Sequence, residues 1–323
     1  MNIMLNSYCN LKCPYCFADN EINLCEDKTM SEENFDECLD FLINNNIKDI
    51  RIIGGEPTIH PYFGYYLNKI LERNFFRHIH IFSNMNFTNE VRDMLILLNE
   101  KIEISMLPNF NSELINKTNF NNAKENIKLM VKYGLINTIG INLYNHNMSL
   151  DYFYDLISEL KNNNYEIDVR WSITVPPHTL DDNFDFKEYF NNFYDLLINF
   201  FSKLNELGIR NHMDCNSIPM CAFDKKQIGE LVYRKPDLFS KPTKCNPVID
   251  INPKLEVFRC FGLSSKYKTT LHKNKSLNQI RDEIVDNTEH LVELKVLDEC
   301  LKCEIYKINN SSCSCIAYRK EKK

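Results

Sequence analysis

Three cysteines near the start of the chain are the residues best equipped for chemistry. The stretch Cys9-Asn10-Leu11-Lys12-Cys13-Pro14-Tyr15-Cys16 puts three thiols on one short loop. Three thiolates so spaced can each ligate one iron of a cubane and leave the fourth iron open. The same loop could hold zinc if a distant residue supplied a fourth ligand, since Cys25, the next cysteine, lies nine residues further on. A second group comprises Cys215, Cys221, Cys245, Cys260, Cys300, Cys303, Cys313 and Cys315. Eight thiolates suffice for two complete clusters, or for one cluster with four thiols left over. A zinc knuckle over Cys300–Cys315 is the plainer alternative. The last two of the thirteen cysteines look ordinary. Cys38 falls in a helical pattern and reads as a buried thiol, and Cys25 lies in a polar stretch.

These residues must be positioned by the elements around them. Candidate strands are 2–6, 49–53, 78–83, 102–106, 138–143 and 169–174. Candidate helices are 32–44, 62–73, 90–98, 123–133, 150–162 and 186–207, with Ser31 as N-cap of the first. Strands alternating with helices imply βαβ units and a parallel sheet. Six units are too few for a closed eight-stranded barrel, so the expected α/β fold is a partial (β/α)6 barrel with its site at the carboxyl ends of the strands. Cys9 follows the first strand, and Gly54-Gly55-Glu56-Pro57 follows the second. Glycines there let backbone approach a ligand closely, and the adjacent carboxylate can hold an ammonium group. The alternation ends near residue 210. Beyond it, Val248–Ile251 and Val257–Cys260 read as a hairpin around Asn252-Pro253-Lys254, followed by a helix near 276–286. The expected division is a barrel over 1–210 and a small cysteine-rich domain over 211–323.

The net charge of −6 weighs against a protein bound chiefly through nucleic-acid phosphates. No apolar run is long enough to span a membrane, and the N-terminus lacks a signal-peptide pattern. The expected location is the cytoplasm, where so many cysteines point to metal or redox chemistry rather than disulfides. Asparagine, isoleucine and lysine are abundant and glycine is scarce (8 residues). This reads as coding bias without functional content.

The CxxxCxxC spacing, with an aromatic residue before the last cysteine, resembles the radical S-adenosylmethionine (SAM) superfamily. Gly54-Gly55-Glu56-Pro57 resembles that family's GGEP motif. The resemblance implies a [4Fe–4S] cluster on Cys9, Cys13 and Cys16, with SAM chelating the open iron. It further implies SAM contacts from Tyr15, Phe17, Gly54, Gly55, Glu56, Pro57, Ser83, Asn84, Ser105, Asn142, Arg170 and Ser172. Two departures stand out. Met85 occupies a position where glycine is common, and no acidic residue follows Ser105. The hairpin with Cys300-x2-Cys303 resembles the SPASM or twitch domain, which binds one or two auxiliary [4Fe–4S] clusters. There Leu255 stands near the place of the usual glycine, and the last cysteine spacing is unusual. A single auxiliary cluster would fall on Cys245, Cys260 and the Cys300/Cys303 pair.

The resemblance implies reductive SAM cleavage, a 5′-deoxyadenosyl radical and hydrogen abstraction from a peptide or protein undergoing crosslinking, thioether formation, oxidation or epimerisation. The second reading is a small-molecule dehydrogenase or mutase, and the third a non-catalytic iron–sulfur electron carrier. Expected partners are a peptide substrate and a reductase, flavodoxin or ferredoxin as electron donor. Because the first strand begins almost at Met1, a separate leader-binding protein is also expected. If cysteines fill every auxiliary iron, only an electron-transfer role remains for those clusters. No catalytic acid or base is identified, although His60 and Asp214 are placed for consideration.

Overall fold

The computed structural model describes residues 1–323 apart from 25–26, 176–183, 216, 241–244, 246, 295–296, 310–314 and 316–323. The expectations placed on Cys25 and Cys313 lie outside the described residues. In chain order the elements are β1 (Asn2–Met4), α1 (Asp19–Leu24), α2 (Glu32–Asn44), β2 (Asp49–Ile53), α3 (Phe63–Glu72), β3 (His78–Ser83), α4 (Asn89–Asn99), β4 (Glu103–Pro108), α5 (Phe120–Lys132), β5 (Thr138–Leu143), α6 (Asp151–Asn162), β6 (Asp168–Ile173), α7 (Phe186–Asn191), α8 (Tyr194–Glu206), β7 (Asn211–Met213), α9 (Lys225–Arg234), β8 (Asp250–Ile251), β9 (Glu256–Phe258), β10 (Lys268–Thr270), α10 (Leu277–Glu293) and α11 (Glu304–Asn309). Six βα units therefore run in succession, as the α/β alternation of the sequence implies.

Two compact units divide the chain, and neither ends at residue 210: Met1–Gly140 with Pro247–Asn287, and Ile141–Asn246 with Thr288–Lys323. The first is built on a seven-stranded sheet in the order β10-β9-β8-β1-β2-β3-β4. Strands β1 to β4 are parallel neighbours, and β8 joins them parallel to β1 through Asn2↔Asp250 and Ile3↔Ile251. The hairpin and the helix after it are tied to this unit by bonds between residues distant in sequence. Asn2 donates to Asp250 at 2.7 Å, Asn34 of α2 donates to the Pro253 carbonyl at 2.8 Å, and the Leu277 amide donates to Asn45 at 2.6 Å. One sheet face carries Ile3, Ile52, Ile81 and Met106 in register, all buried. On the other face Met4 and Ile53 join Ala18, Phe258 and Phe261 in an apolar cluster. Burial on both faces suits a mostly parallel sheet. Helix α2 begins as expected, with Ser31 accepting from the Asn34 amide at 3.1 Å. Cys38 is fully buried on that helix, an ordinary core thiol.

In the second unit β5, β6 and β7 are neighbours in that order, with β6 and β7 parallel. Trp171 of β6 is fully buried edge-on to Phe200 and Phe201 of α8, and its indole N–H reaches Asn211 at 3.1 Å. A capping box between Asp224 and Gln227 starts α9.

Two local expectations need correction. The helix expected over 186–207 is α7 and α8, separated by a tightened turn. The Phe193 amide bonds Phe190 O, three residues back, and this turn buries Phe193 before Leu197 resumes the four-residue pattern. The first hairpin strand is shorter than expected, because Val248 and Ile249 both donate to the single Arg259 carbonyl. That bulge, with Ile249 at φ +66°, leaves only Asp250–Ile251 in the ladder.

The hairpin turn closes with the Leu255 amide on Asn252 O at 3.0 Å, and Leu255 then adopts φ +62°. This is the left-handed region, which disfavours a side chain by roughly 1–2 kcal/mol. Leu255→Gly is therefore expected to be neutral or stabilising by up to about 1 kcal/mol, and the β-branched Leu255→Val destabilising by about 1–2 kcal/mol. Denaturant midpoints of the two variants check this. Equal losses from both would contradict a strained turn.

Candidate active site

The cysteine loop leaves β1 and runs directly alongside the segment that leaves β2. The Leu5 amide bonds Ile53 O at 2.9 Å, the Gly55 amide bonds Asn6 O at 2.8 Å, and the Glu56 amide bonds Tyr8 O at 2.9 Å. Asn6 Nδ2 returns a bond to Glu56 O at 2.9 Å. The two glycines are required by this contact. A Cβ on Gly54 would lie 2.4 Å from Asn6 Oδ1, and one on Gly55 would lie 2.1 Å from Tyr8 O. The close approach read from the sequence is thus between two backbone segments, the glycine turn and the loop that carries Cys9.

Glu56 is buried and engaged on both oxygens. Oε1 accepts from Thr58 N (3.2 Å), Thr58 Oγ1 (2.6 Å) and Ser83 Oγ (2.9 Å), and Oε2 accepts from Asn84 N at 2.6 Å. Burial pushes its pKa up, opposed by these four bonds, which favour the carboxylate. The carboxylate caps the turn at Pro57–Ile59 and fastens the end of β3 to the end of β2.

Cys9, Cys13 and Cys16 are half-buried. A turn closed by the Cys16 amide on Cys13 O at 3.1 Å shapes the loop. Burial first, and then the Glu56 charge and the Cys16 thiol, push Cys9 up to about 11; burial and the Cys16 and Cys9 thiols push Cys13 up to about 12. Burial also raises Cys16, which packs against the Met4, Ile53, Phe258 and Phe261 cluster. Three mutually repelling, desolvated thiols are a donor set suited to a cationic cluster that compensates their charge. Among the described residues no three His, Cys, Asp or Glu side chains close around a single ion. A cubane needs each thiolate on a separate iron, so the loop fits that group better than a lone tetrahedral zinc.

A web of carboxamides fixes this loop, and the sequence reading missed it. Asn84 Nδ2 donates to Asn10 Oδ1 at 2.7 Å and to Cys9 Sγ at 3.6 Å, and Asn10 Nδ2 donates to Asn86 O at 2.9 Å. Asn116 donates to Asn86 Oδ1 at 3.1 Å. Tyr15 is buried and its hydroxyl donates to Asn111 Oδ1 while accepting from Asn109 Nδ2 at 3.1 Å. Met85 adopts φ +66°, so the position where glycine is common is left-handed here as well. Asparagine abundance was the available signal. What it lacked was a reason to single out the asparagines at strand ends.

Other expected residues are placed as follows. Phe17 is 57% exposed, its ring 5.6 Å from that of Phe261. Pro57 is buried at the start of its turn. Ser105 lies between His78 Nε2 (2.7 Å) and His80 Nδ1 (2.5 Å). His60 is buried, its Nδ1 accepting from the Tyr62 amide at 3.0 Å, and burial lowers its pKa to about 4. In the second unit Ser172 donates to Asn142 Oδ1 at 2.6 Å. Arg170 pairs with Asp214, which also accepts from the Cys215 amide at 2.7 Å.

Of the later cysteines, Cys221 is influenced by Cys300, Cys303 and Lys187 after the dominant effect of burial, which raises its pKa. These thiols share one neighbourhood within the second unit, beside the Lys187–Glu299 ion pair. The sequence grouping had not put Cys221 with the CxxC pair. Cys215, Cys245 and Cys315 also belong to the second unit, whereas Cys260 belongs to the first and precedes Phe261.

Gly55→Ala is expected to displace the Cys9 segment and to remove about four bound irons per reconstituted chain. Gly229→Ala, with nothing within 4 Å of the added Cβ, should keep all iron. Iron and sulfide assays of the two variants check the contact, and full iron retention in Gly55→Ala would contradict it.

The family model described as the radical SAM superfamily matches residues 3–160. The antilisterial bacteriocin subtilosin biosynthesis protein AlbA of Bacillus subtilis (strain 168) is 26% identical over 151 residues, covering 45% of this chain and 33% of that protein. The chain thus spans about a third of the length of this curated relative. Streptococcus suis SuiB bound to S-adenosylmethionine superposes with a TM-score of 0.61 at 16% identity, covering 95% of this chain and 71% of that one. SuiB bound to precursor peptide SuiA gives a TM-score of 0.61 at 16% identity, covering 95% and 70%. At that identity the structural likeness establishes the fold. Residues 3–160, which carry both the cysteine loop and the glycine turn, match the radical SAM superfamily model.

Proposed function

We propose that this chain cleaves S-adenosylmethionine reductively and directs the resulting radical at a peptide or protein. The observation that carries the reading is the hydrogen-bonded union of the Cys9–Cys16 loop with the Gly54-Gly55-Glu56 turn. Cys9, Cys13 and Cys16 would hold a [4Fe–4S] cluster, which supplies the electron that splits a carbon–sulfur bond of SAM into methionine and a 5′-deoxyadenosyl radical.

The chain's own residues shape the event. Glu56 is committed to Thr58, Ser83 and Asn84, so the backbone carbonyls of Gly54 and Gly55 are the acceptors we assign to the amino N–H groups of SAM. Met4, Ile53, Phe258 and Phe261 keep water from the Cys16 side, which protects a radical from side reactions. Tyr15, Phe17, Pro57, Ser83, Ser105, Asn142, Arg170 and Ser172 are proposed as further SAM contacts on the family resemblance.

Peptide modification is supported by AlbA, named for subtilosin biosynthesis, and by SuiB, solved with its precursor peptide. Crosslinking, thioether formation, oxidation and epimerisation all begin with the same hydrogen abstraction. The eight cysteines after residue 210 are proposed to hold one or two auxiliary clusters in a region spanning 211–323, with Cys221, Cys300 and Cys303 on the same cluster. Further proposals are a cytoplasmic location and a flavodoxin, ferredoxin or reductase as electron donor. Among the described residues no helix is long and apolar enough to cross a membrane.

Anaerobic reconstitution tests the reading. Wild type is expected to bind about 8 irons if one auxiliary cluster forms and about 12 if two form. The Cys9/Cys13/Cys16→Ala variant should lose about four of them and all 5′-deoxyadenosine production. SAM cleavage that survives in the variant, or its absence from loaded wild type, contradicts the proposal. Zinc without acid-labile sulfide in the protein lacking those three cysteines would remove the auxiliary clusters.

A further inference from the structure

Asn84 is held at four points around its own backbone and side chain. Its amide donates to Glu56 Oε2 at 2.6 Å. Its Oδ1 accepts from the Asn86 amide at 2.9 Å. A backbone N–H can only donate, so that bond fixes which end of the carboxamide is oxygen and turns Nδ2 toward the cysteine loop. The two Nδ2 hydrogens are then directed to Asn10 Oδ1 at 2.7 Å and Cys9 Sγ at 3.6 Å. Asn10 closes the ring by donating to Asn86 O at 2.9 Å. The left-handed Met85, at φ +66°, bends the chain back between Asn84 and Asn86.

We infer that Asn84 sets the reduction potential of the SAM-cleaving cluster by donating a hydrogen bond to the Cys9 thiolate. This rests on Cys9, Cys13 and Cys16 being the ligands of that cluster. A donor on a ligating sulfur stabilises the added negative charge of the reduced cluster and so raises the potential. The Leu11 amide donates to the same sulfur at 3.4 Å, but that bond is internal to the loop and comes with its turn. Asn84 acts from another strand end and is joined through its own amide to Glu56. Cys9 therefore carries a side-chain donor supplied by β3, and the cluster's ease of reduction is tied to the segment that ends β3. Asn84 is a positioning residue in this role, acting through Cys9.

The experiment is an EPR-monitored redox titration of the reconstituted full chain, following the reduced signal that changes when SAM is added. Asn84→Leu removes the donor at similar volume, and its midpoint should fall by about 59 mV, a tenfold change in the reduced-to-oxidised ratio at fixed poise. Asn122→Ala loosens the same loop, losing a bond to Phe87 O without touching sulfur, and should leave the midpoint unchanged. An unchanged midpoint in Asn84→Leu with full iron content overturns the inference, as does an equal fall in Asn122→Ala. If Asn84→Leu fails to retain the cluster, wild type grown with 15N-asparagine decides. A 15N hyperfine coupling on the SAM-responsive signal, distinct from the 14N of the SAM amine, is expected, and its absence overturns the inference. Should wild type show no SAM-responsive signal at all, the ligand assignment fails and the inference with it.

Discussion

The site depends on two backbone segments lying against each other with no room for a side chain between them. Gly55 meets Tyr8 O so closely that even a methyl group would stand 2.1 Å from it. The amides of Gly55 and Glu56 fill the space with hydrogen bonds to the loop that bears Cys9. Both segments leave the carboxyl ends of adjacent parallel strands in fixed register, Met4 opposite Ile53. The sheet sets the separation, and glycine is what lets the chains occupy it. The roles proposed for the three thiols and the glycine carbonyls follow from that contact, because it joins the two segments that carry them.

Around the frame, neutral polar groups do what charges do elsewhere. Glu56 is the main buried acid of the loop system, and it is surrounded by donors rather than by a cation. The remaining ties are carboxamides, which donate and accept at once and add no net charge beside three thiolates. A lysine or arginine there would have shifted the electrostatics of the cluster strongly. An asparagine would adjust it by a single hydrogen bond.

The alternation of strands and helices was legible because it rests on local periodicity, and β2, β3 and β5 have the limits expected from it. The cysteine loop and glycine turn were legible as motifs. Their mutual contact was not, because the pairing of residues 6–8 with 54–56 depends on β1 and β2 being neighbours. The same limit explains the other differences. The Ile249 bulge is imposed by Arg259 across the hairpin, and the hairpin's place beside β1 is decided by Asn2 and Asn34, more than two hundred residues away. The bond from Asn84 to Cys9 spans 75 positions. A composition bias toward asparagine gave no hint of which residues would meet. Met85 and Leu255 were visible as missing glycines, and both adopt the left-handed backbone that glycine would have supplied.

The central proposal is that Cys9, Cys13 and Cys16 would hold a cluster with one iron open to the amine of SAM, beside the Gly54–Gly55 turn. Electron–nuclear double resonance on the reduced chain with SAM carrying 15N in its amine tests this most directly. The account predicts a 15N coupling to the cluster that is replaced by a 14N pattern when unlabelled SAM is substituted. A reduced cluster of full iron content that shows no coupling to that nitrogen would contradict it.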